Sequence, residues 1–481
     1  MDDRADWADW AALARGLDGP LVRPGDADYA TARLLYNTRF DDLRPAAVAY
    51  VTGDDDVRTC LAFARRHRTP VALRSGGHSY TGWSSGTGPL VIDVSGIDHV
   101  RPDGTTAATG AGARLVHVYR TLARHGRAIP AGTCPTVGIS GLTLGGGHGV
   151  TSRAYGLTCD SLTGATVVTA DGRLLTADAE EHPDLFWALR GAGAGTLGVV
   201  TELRFRTHPV PATVVSGRLT WPWARARSVL AAWQAWGPAQ PDEIWSALRL
   251  AADPGAEPAL TLSVCTVGDR TELENALDRL ADHTGAPADS VHLHDRTYLE
   301  AMLTYAECAG LTEAQCHLPG TTPGSDPRGV LRRNTYTAVS DFFDRELSPA
   351  AVAALTAAPE AFARIPAAEG GGTGALQLTA FGGATGRVDP LATAFVHRRQ
   401  RILVQYWASW RPGTPGAAQR AWLATARDSL GPYVSGSAYQ NYPDPALKDW
   451  RTAYYGAAAD RLSEVKRRYD PQRLFTFPQA F

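Results

Sequence analysis

Cysteine is scarce in this chain of 481 residues: there are six, irregularly spaced, at Cys60, Cys134, Cys159, Cys265, Cys308 and Cys316. None forms the C-x-x-C pair of a zinc site, and six in so long a chain do not make a disulfide framework. Net charge is also lacking. The 47 basic and 49 acidic residues leave −2, and no basic run is long enough to follow nucleic-acid phosphates. No apolar run is long enough to span a bilayer. The opening Met1-Asp-Asp-Arg-Ala-Asp-Trp7 is acidic and amphipathic, unlike the basic-then-apolar order of a secretory signal. These absences predict a soluble cytoplasmic protein without a metal, nucleic-acid or membrane partner. They say nothing of its oligomeric state.

What is present is ordinary in bulk, at 44% apolar and 20% charged residues, and long enough for two domains. Arg far outnumbers Lys, a compositional habit with no bearing on mechanism. Strands are expected at 46–52, 71–74 and 90–94 with a helix at 55–68, the alternation of a sheet covered by helices. A hairpin is expected from 162–169 and 174–176 around Asp171-Gly172, then a strand at 198–205. The Pro-containing His208-Pro-Val-Pro211 segment marks a boundary. Beyond it, strands at 214–219, 259–265, 375–380 and 401–407 alternate with helices near 223–236, 270–283 and 348–360, as in an antiparallel sheet. Gly- and Pro-rich loops at 319–329 and 369–374 are candidates for a site mouth. The fold class is therefore α+β in two domains, with expected limits of 1–208, 209–436 and a return of 437–481 to the first. No internal repeat is found.

Two short stretches carry the chemistry. In Arg74-Ser75-Gly76-Gly77-His78-Ser79-Tyr80, two glycines let successive N–H groups converge into an anion-binding nest. A tight turn around a hydrogen-bonded histidine would read the same. In Gly132-Thr-Cys134-Pro-Thr136-Val137-Gly138, a cysteine sits in a glycine-flanked turn leading through Gly141 to Gly145-Gly-Gly-His148-Gly149. A lone cysteine is usually a small core residue. Gly191 to Gly198 looks superficially like a Rossmann fingerprint, but precedes a strand where that motif should follow one. His148 has no partner at ligand spacing and is expected to be a hydrogen-bonded turn histidine.

Together, in this order, the two stretches resemble the anchoring segments of the berberine-bridge-enzyme-like flavoproteins, which have the vanillyl-alcohol-oxidase (p-cresol methylhydroxylase) fold. Tyr439-Gln-Asn441-Tyr442-Pro-Asp444, Tyr454-Tyr-Gly456 and Phe475-Thr-Phe-Pro-Gln479 are similar to that family's C-terminal pattern. The likeness is good over 46–208 and 437–481 and weak between, at Phe381-Gly-Gly383 and Phe395-Val-His-Arg398. It implies FAD bonded through C8α to His78 and through C6 to Cys134. It further implies cofactor contacts at Arg74, Ser75, Gly76, Gly77, Ser79 and Tyr80. Others fall at Gly132, Thr136, Val137, Gly138, Gly141, Gly145 and Gly149, at Gly198 and Val200 on the adenine side, and at Asn441.

By the same resemblance Tyr442 is the catalytic tyrosine and Tyr155 a second one. Tyr439 supports Tyr442, and Gln405 occupies a substrate-domain position used for acid–base work. A phenol of pKa about 10 serves as base only if a cation or hydrogen-bond donor stabilises its anion. Sugar-oxidising members can carry a carboxylate on the strand entering the Gly-Gly turn. Here that strand is Leu376-Gln-Leu-Thr379-Ala-Phe-Gly-Gly383, without one, which favours a bulkier, more apolar substrate. Val137 is the smaller of the family's two types at the position governing oxygen access, which favours an oxidase. The expected activity is oxidation of a secondary alcohol or hemiacetal of a bacterial secondary metabolite to ketone or lactone, with oxygen reduced to peroxide. An oligosaccharide or hexose oxidase, and a flavin dehydrogenase or redox-neutral cyclase, are the alternatives.

Overall fold

The computed structural model describes residues 3–193 and 195–481. Ala47–Tyr50, Val71–Arg74 and Leu90–Asp93 form parallel pairs, with Leu90–Asp93 between the other two. The first and last of these are buried along their whole length, as expected of a parallel sheet covered on both faces. The helix Asp54–His67 makes the first crossover. Three acidic residues open it and three basic ones close it, matching its dipole. Leu21–Val22 adds an antiparallel edge. The chain leaves Val71–Arg74 directly into Ser75-Gly76-Gly77-His78, beyond the carboxyl end of a parallel strand, where such sheets bind ligands.

A second sheet, antiparallel, has five strands in the spatial order Val100–Asp103, Thr106–Gly110, Val199–Arg206, Leu162–Val168, Leu174–Asp178. It contains the expected hairpin, closed by a bond from Gly172 N–H to Thr169 O at 2.8 Å. The Gly191–Gly198 segment feeds the Val199–Arg206 strand; Ala194 within it lies outside the described residues.

The third sheet is antiparallel with seven strands: Ser290–Arg296, Val214–Trp221, Ala259–Thr266, Ile244–Ala252, Gly374–Ala380, Ile402–Ser409 and Tyr336–Phe343. Three of these, at 244–252, 290–296 and 336–343, are additional to the sequence reading. Alternation gives the sheet two unlike faces. Leu219, Leu262, Leu248, Leu378 and Val404 form a rung of one face. They are buried in a core shared with the helices Ala226–Ala239, Arg270–Thr284, Pro349–Ala363 and Ala417–Leu430. Asp269 and Ser348 cap two of those helices through their side chains.

The C-terminal segment packs into the N-terminal core, where Tyr454, Leu462, Val465 and Phe475 join Ala47, Ala49 and Ile92. Buried Lys466 fixes it. Its ammonium donates to Asp470 Oδ2, Thr196 O and Phe475 O, each at 2.6 Å, so the buried charge is both paired and hydrogen-bonded. No helix among the described residues is long and apolar enough to cross a membrane.

Candidate functional site

The two glycine-bearing stretches meet backbone to backbone. A Cβ on Gly76 would overlap Gly138 N and lie 2.8 Å from Thr136 O, and one on Gly138 would strike Ser75. Glycine is needed at both because nothing larger than a hydrogen fits between the loops. Thr136 Oγ1 then lies 2.8 Å from His78 Nε2, and Tyr36 stacks on the imidazole at 4.0 Å. Burial, followed by the charge of Arg114, pushes His78 down to about 3, so the ring is neutral. Cys134 is the one cysteine with exposed surface; the other five are buried. That surface faces a cavity of about 1410 Å³ shared with His78, and burial within it raises the thiol pKa. The volume exceeds the ~300–1,000 Å³ of an ordinary ligand cleft. It is enough for a large cofactor with a substrate beside it.

Nearly all the residues expected to touch a cofactor line this cavity, from Ser75, Gly76 and Gly77 through Val137 and Gly141 to Gly198, Val200 and Asn441. A Cβ on Gly141 would meet nothing within 4 Å, so that backbone is open to a ligand. One of the expected contacts stands outside this wall. Gly145 does not line the cavity; it is glycine because the Asn441 amide lies against it. Arg74 reaches the wall, but its guanidinium is engaged by Asp93 and by Ala32 O at 2.8 Å, so its charge is already matched.

At the other side of the cavity stands an aromatic cluster. Tyr80 and Tyr442 stack at 4.9 Å with 6° between planes, and Gln405 Nε2 donates to Tyr80 OH at 2.7 Å. Tyr439 lies edge-on to Tyr442. Its hydroxyl accepts from Gly147 N–H at 2.9 Å and from Asn441 Nδ2 at 3.0 Å, holding the glycine run in place. His148, expected only as a turn histidine, has Nε2 3.0 Å from Tyr442 OH. Burial lowers it to about 4, so the imidazole is neutral, and burial also raises the Tyr442 phenol well above its ordinary value. Sequence reasoning missed this pair because the two residues are 294 positions apart. Its one signal was a side chain that ordinarily titrates near neutrality, set inside a glycine run. Tyr155 lies elsewhere. It stacks on His208 at 4.4 Å and does not line the cavity.

The far wall is the second face of the seven-stranded sheet. One rung carries Thr261, Arg249, Gln377 and Gln405, and the next carries Arg218, Ser263, Ala247 and Thr379. This wall is largely polar because alternation sends the leucines to the helix side. Neither glycine-rich loop borders the cavity; Val330 to Asn334, just past the first, does.

Comparison with known proteins agrees with this arrangement. Residues 45–178 match the FAD binding domain model and residues 438–480 the model described as berberine and berberine like. The chain is 33% identical to the FAD-linked oxidoreductase YgaK of Bacillus subtilis (strain 168), covering 96% of this chain and 97% of the relative. It is 31% identical to a chitooligosaccharide oxidase of Gibberella zeae, covering 96% and 92%. Among solved structures, BBE-like 1 of Physcomitrella patens superposes with a TM-score of 0.86 at 30% identity, covering 98% of each chain. A large cavity, glycine loops that admit a flat ligand against the backbone and a matched FAD-binding domain thus coincide in one place, and the chain belongs to the berberine-bridge-enzyme-like FAD-linked oxidoreductases of the vanillyl-alcohol oxidase superfamily.

Proposed function

We propose that this enzyme is an oxidase that converts a secondary alcohol or hemiacetal of a glycosylated or polyhydroxylated secondary metabolite to a ketone or lactone. The observation that carries it is the Tyr442–His148 hydrogen bond of 3.0 Å in the wall of the cavity that also holds His78 and Cys134. His78 and Cys134 would hold FAD covalently, the histidine neutral and set by Thr136. When bound, FAD supplies the hydride acceptor and, in air, passes the electron pair to oxygen as hydrogen peroxide.

The proton is the work of the chain's own residues. Among the described residues no cation touches Tyr442 to stabilise a phenolate, so the phenol relays rather than stores the charge. In the Nδ1–H tautomer of His148, Nε2 accepts the Tyr442 proton as Tyr442 Oη takes the proton of the substrate hydroxyl. Stacking by Tyr80, itself tied by Gln405, limits the phenol to one orientation. Val137 lies on the cavity wall three residues after Cys134, and its small side chain leaves a path for oxygen. Tyr155 has no part in this scheme.

A second reading, an oligosaccharide oxidase, is favoured by the polar sheet wall and the chitooligosaccharide oxidase among the relatives. Anaerobic mixing with a panel of polyketide glycosides, hexoses and oligosaccharides tests both. Bleaching of the flavin followed by peroxide release on admitting air supports an oxidase, and the member that bleaches it chooses between them. Bleaching without peroxide would make it a dehydrogenase. Peptide mass mapping after acid denaturation decides the attachment: one FAD joining the His78 and Cys134 peptides is expected, and free FAD would overturn it.

A further inference from the structure

The sheet wall carries more positive charge than its surroundings neutralise. Arg218 and Arg249 both line the cavity, and among the described residues neither has a carboxylate within ion-pair distance. Arg218 donates only to Thr261 Oγ1, at 3.3 Å. Thr261 is the direct cross-strand partner of Arg249, so the Arg218 guanidinium is drawn across one strand toward the rung where Arg249 stands. Arg249 lies 5.9 Å from the centre of the Trp407 ring, with no hydrogen-bond acceptor of its own. Burial, followed by the charge of Arg218, lowers its pKa, against a weaker opposing pull from Asp253 and Glu307. Around them, Arg332 lines the cavity with no ion-pair partner among the described residues, while Arg333 and Arg74 are matched by Asp41 and Asp93. Glu307 is the one carboxylate among the described residues of this wall; it forms no ion pair with the three and acts on Arg249 only at longer range.

One guanidinium held by a threonine hydroxyl and a second over an aromatic ring, on neighbouring rungs of one sheet face, are costly to keep in a cavity unless an anion enters with the substrate. We propose that the substrate carries an oxyanion, a carboxylate or a sulfate or phosphate ester, held by Arg218 and Arg249 while its alcohol carbon faces Tyr442. Trp407 supplies the flat surface against which the intervening ring lies. This rests on the oxidase reading above and names its substrate class.

The test uses the flavin-loaded enzyme, the Arg218→Gln and Arg249→Gln variants and their double. Matched alcohols are compared: a hexose, its hexuronate and its 6-phosphate, and a neutral disaccharide with its uronate. The expected result is an anionic member favoured in kcat/KM by about tenfold or more, carried in KM. That ratio falls to about one in the double variant. Which anion gains most separates carboxylate from phosphate. Equal rates for neutral and anionic members in the parent enzyme, or a preference that survives the double variant, would overturn the proposal. If no alcohol bleaches the flavin, the oxidase reading is what fails, and a second measurement still judges this one. Sulfate, phosphate and glucuronate should raise the unfolding temperature of the parent holoenzyme and not that of the double variant; no difference between the two overturns the anion site.

Discussion

The four-stranded parallel sheet and the seven-stranded antiparallel sheet present side chains to one cavity by opposite means. The first is largely buried on both faces, only Val71–Arg74 of its strands reaching the cavity wall, and its main contribution comes from the glycine turn leaving that strand. The second spends one face on leucines against helices and turns the other, polar from Arg218 to Gln405, toward the ligand. Loop residues there can approach a cofactor backbone-first, and His78 and Cys134 gain their position from loop-to-loop contact. Strand residues on the far side are held in register 4.7–4.9 Å apart, a spacing suited to reading a substrate's outline. Chemistry on loops and recognition on a sheet face is the division this geometry supports.

The sharpest way to break that division is Tyr442→Phe. It removes the hydroxyl that His148 holds and leaves the stacked ring. A fall in kcat of about 10²–10⁴ is expected, with flavin content and unfolding temperature little changed. His148→Phe should follow it within about tenfold, because a relay fails at either member. Trp407→Ala, on the sheet face, should act differently, raising KM several-fold while kcat holds. If Trp407→Ala lowered kcat as Tyr442→Phe does, recognition and chemistry would not be separable.

On the other side of the same sheet, Leu248→Ala empties a fully buried position. A loss of about 2–5 kcal/mol in denaturant unfolding is expected, without a shift in substrate preference. A specificity change from this variant would mean that the sheet's two faces are mechanically coupled.

Acid offers a finer comparison. Burial lowers His148 and His208 to about 4 and His397 to about 3. All three are neutral in the folded protein and would take up protons near pH 6.5 once unfolded. The unfolded chain then binds more protons below that pH, so stability is full above about 6.5 and declines as pH falls toward 4. Turnover should hold further down, because His148 accepts a proton until it is itself protonated near pH 4. Unfolding temperature and kcat measured from pH 7 to 4 should therefore separate, stability falling first.

Legibility in the sequence followed the same split. The glycine turns were readable because close backbone contact demands glycine whatever surrounds it, and their order along the chain identified the family. The seven-stranded sheet was read from four strands only. Ser290–Arg296 is an edge with mostly exposed or half-buried residues and little apolar alternation, Tyr336–Phe343 is buried on both faces, and Arg249 interrupts the apolar pattern of Ile244–Ala252. Pairings between distant residues were out of reach altogether. The sequence offered Tyr442 and His148 separately, and only folding puts 3.0 Å between them.

Tyr155 gives the smallest expected effect and the cleanest check on how far resemblance carries. It shares its helical turn, Ser152–Tyr155, with Arg153, which is bonded to Ile244 O, Phe381 O and Gln240 O and so binds the glycine run to the seven-stranded sheet. Tyr155 itself faces His208, half-buried and outside the cavity wall. Replacing its hydroxyl in Tyr155→Phe keeps the stack and breaks no hydrogen bond to the described residues, so kcat and KM should stay within about twofold and stability within about 0.5 kcal/mol. A hundredfold loss of kcat would require Tyr155 to reach the substrate through a movement of the 152–156 turn. It would also move the proton path away from His148, which bonds Tyr442 while Tyr155 stacks on His208.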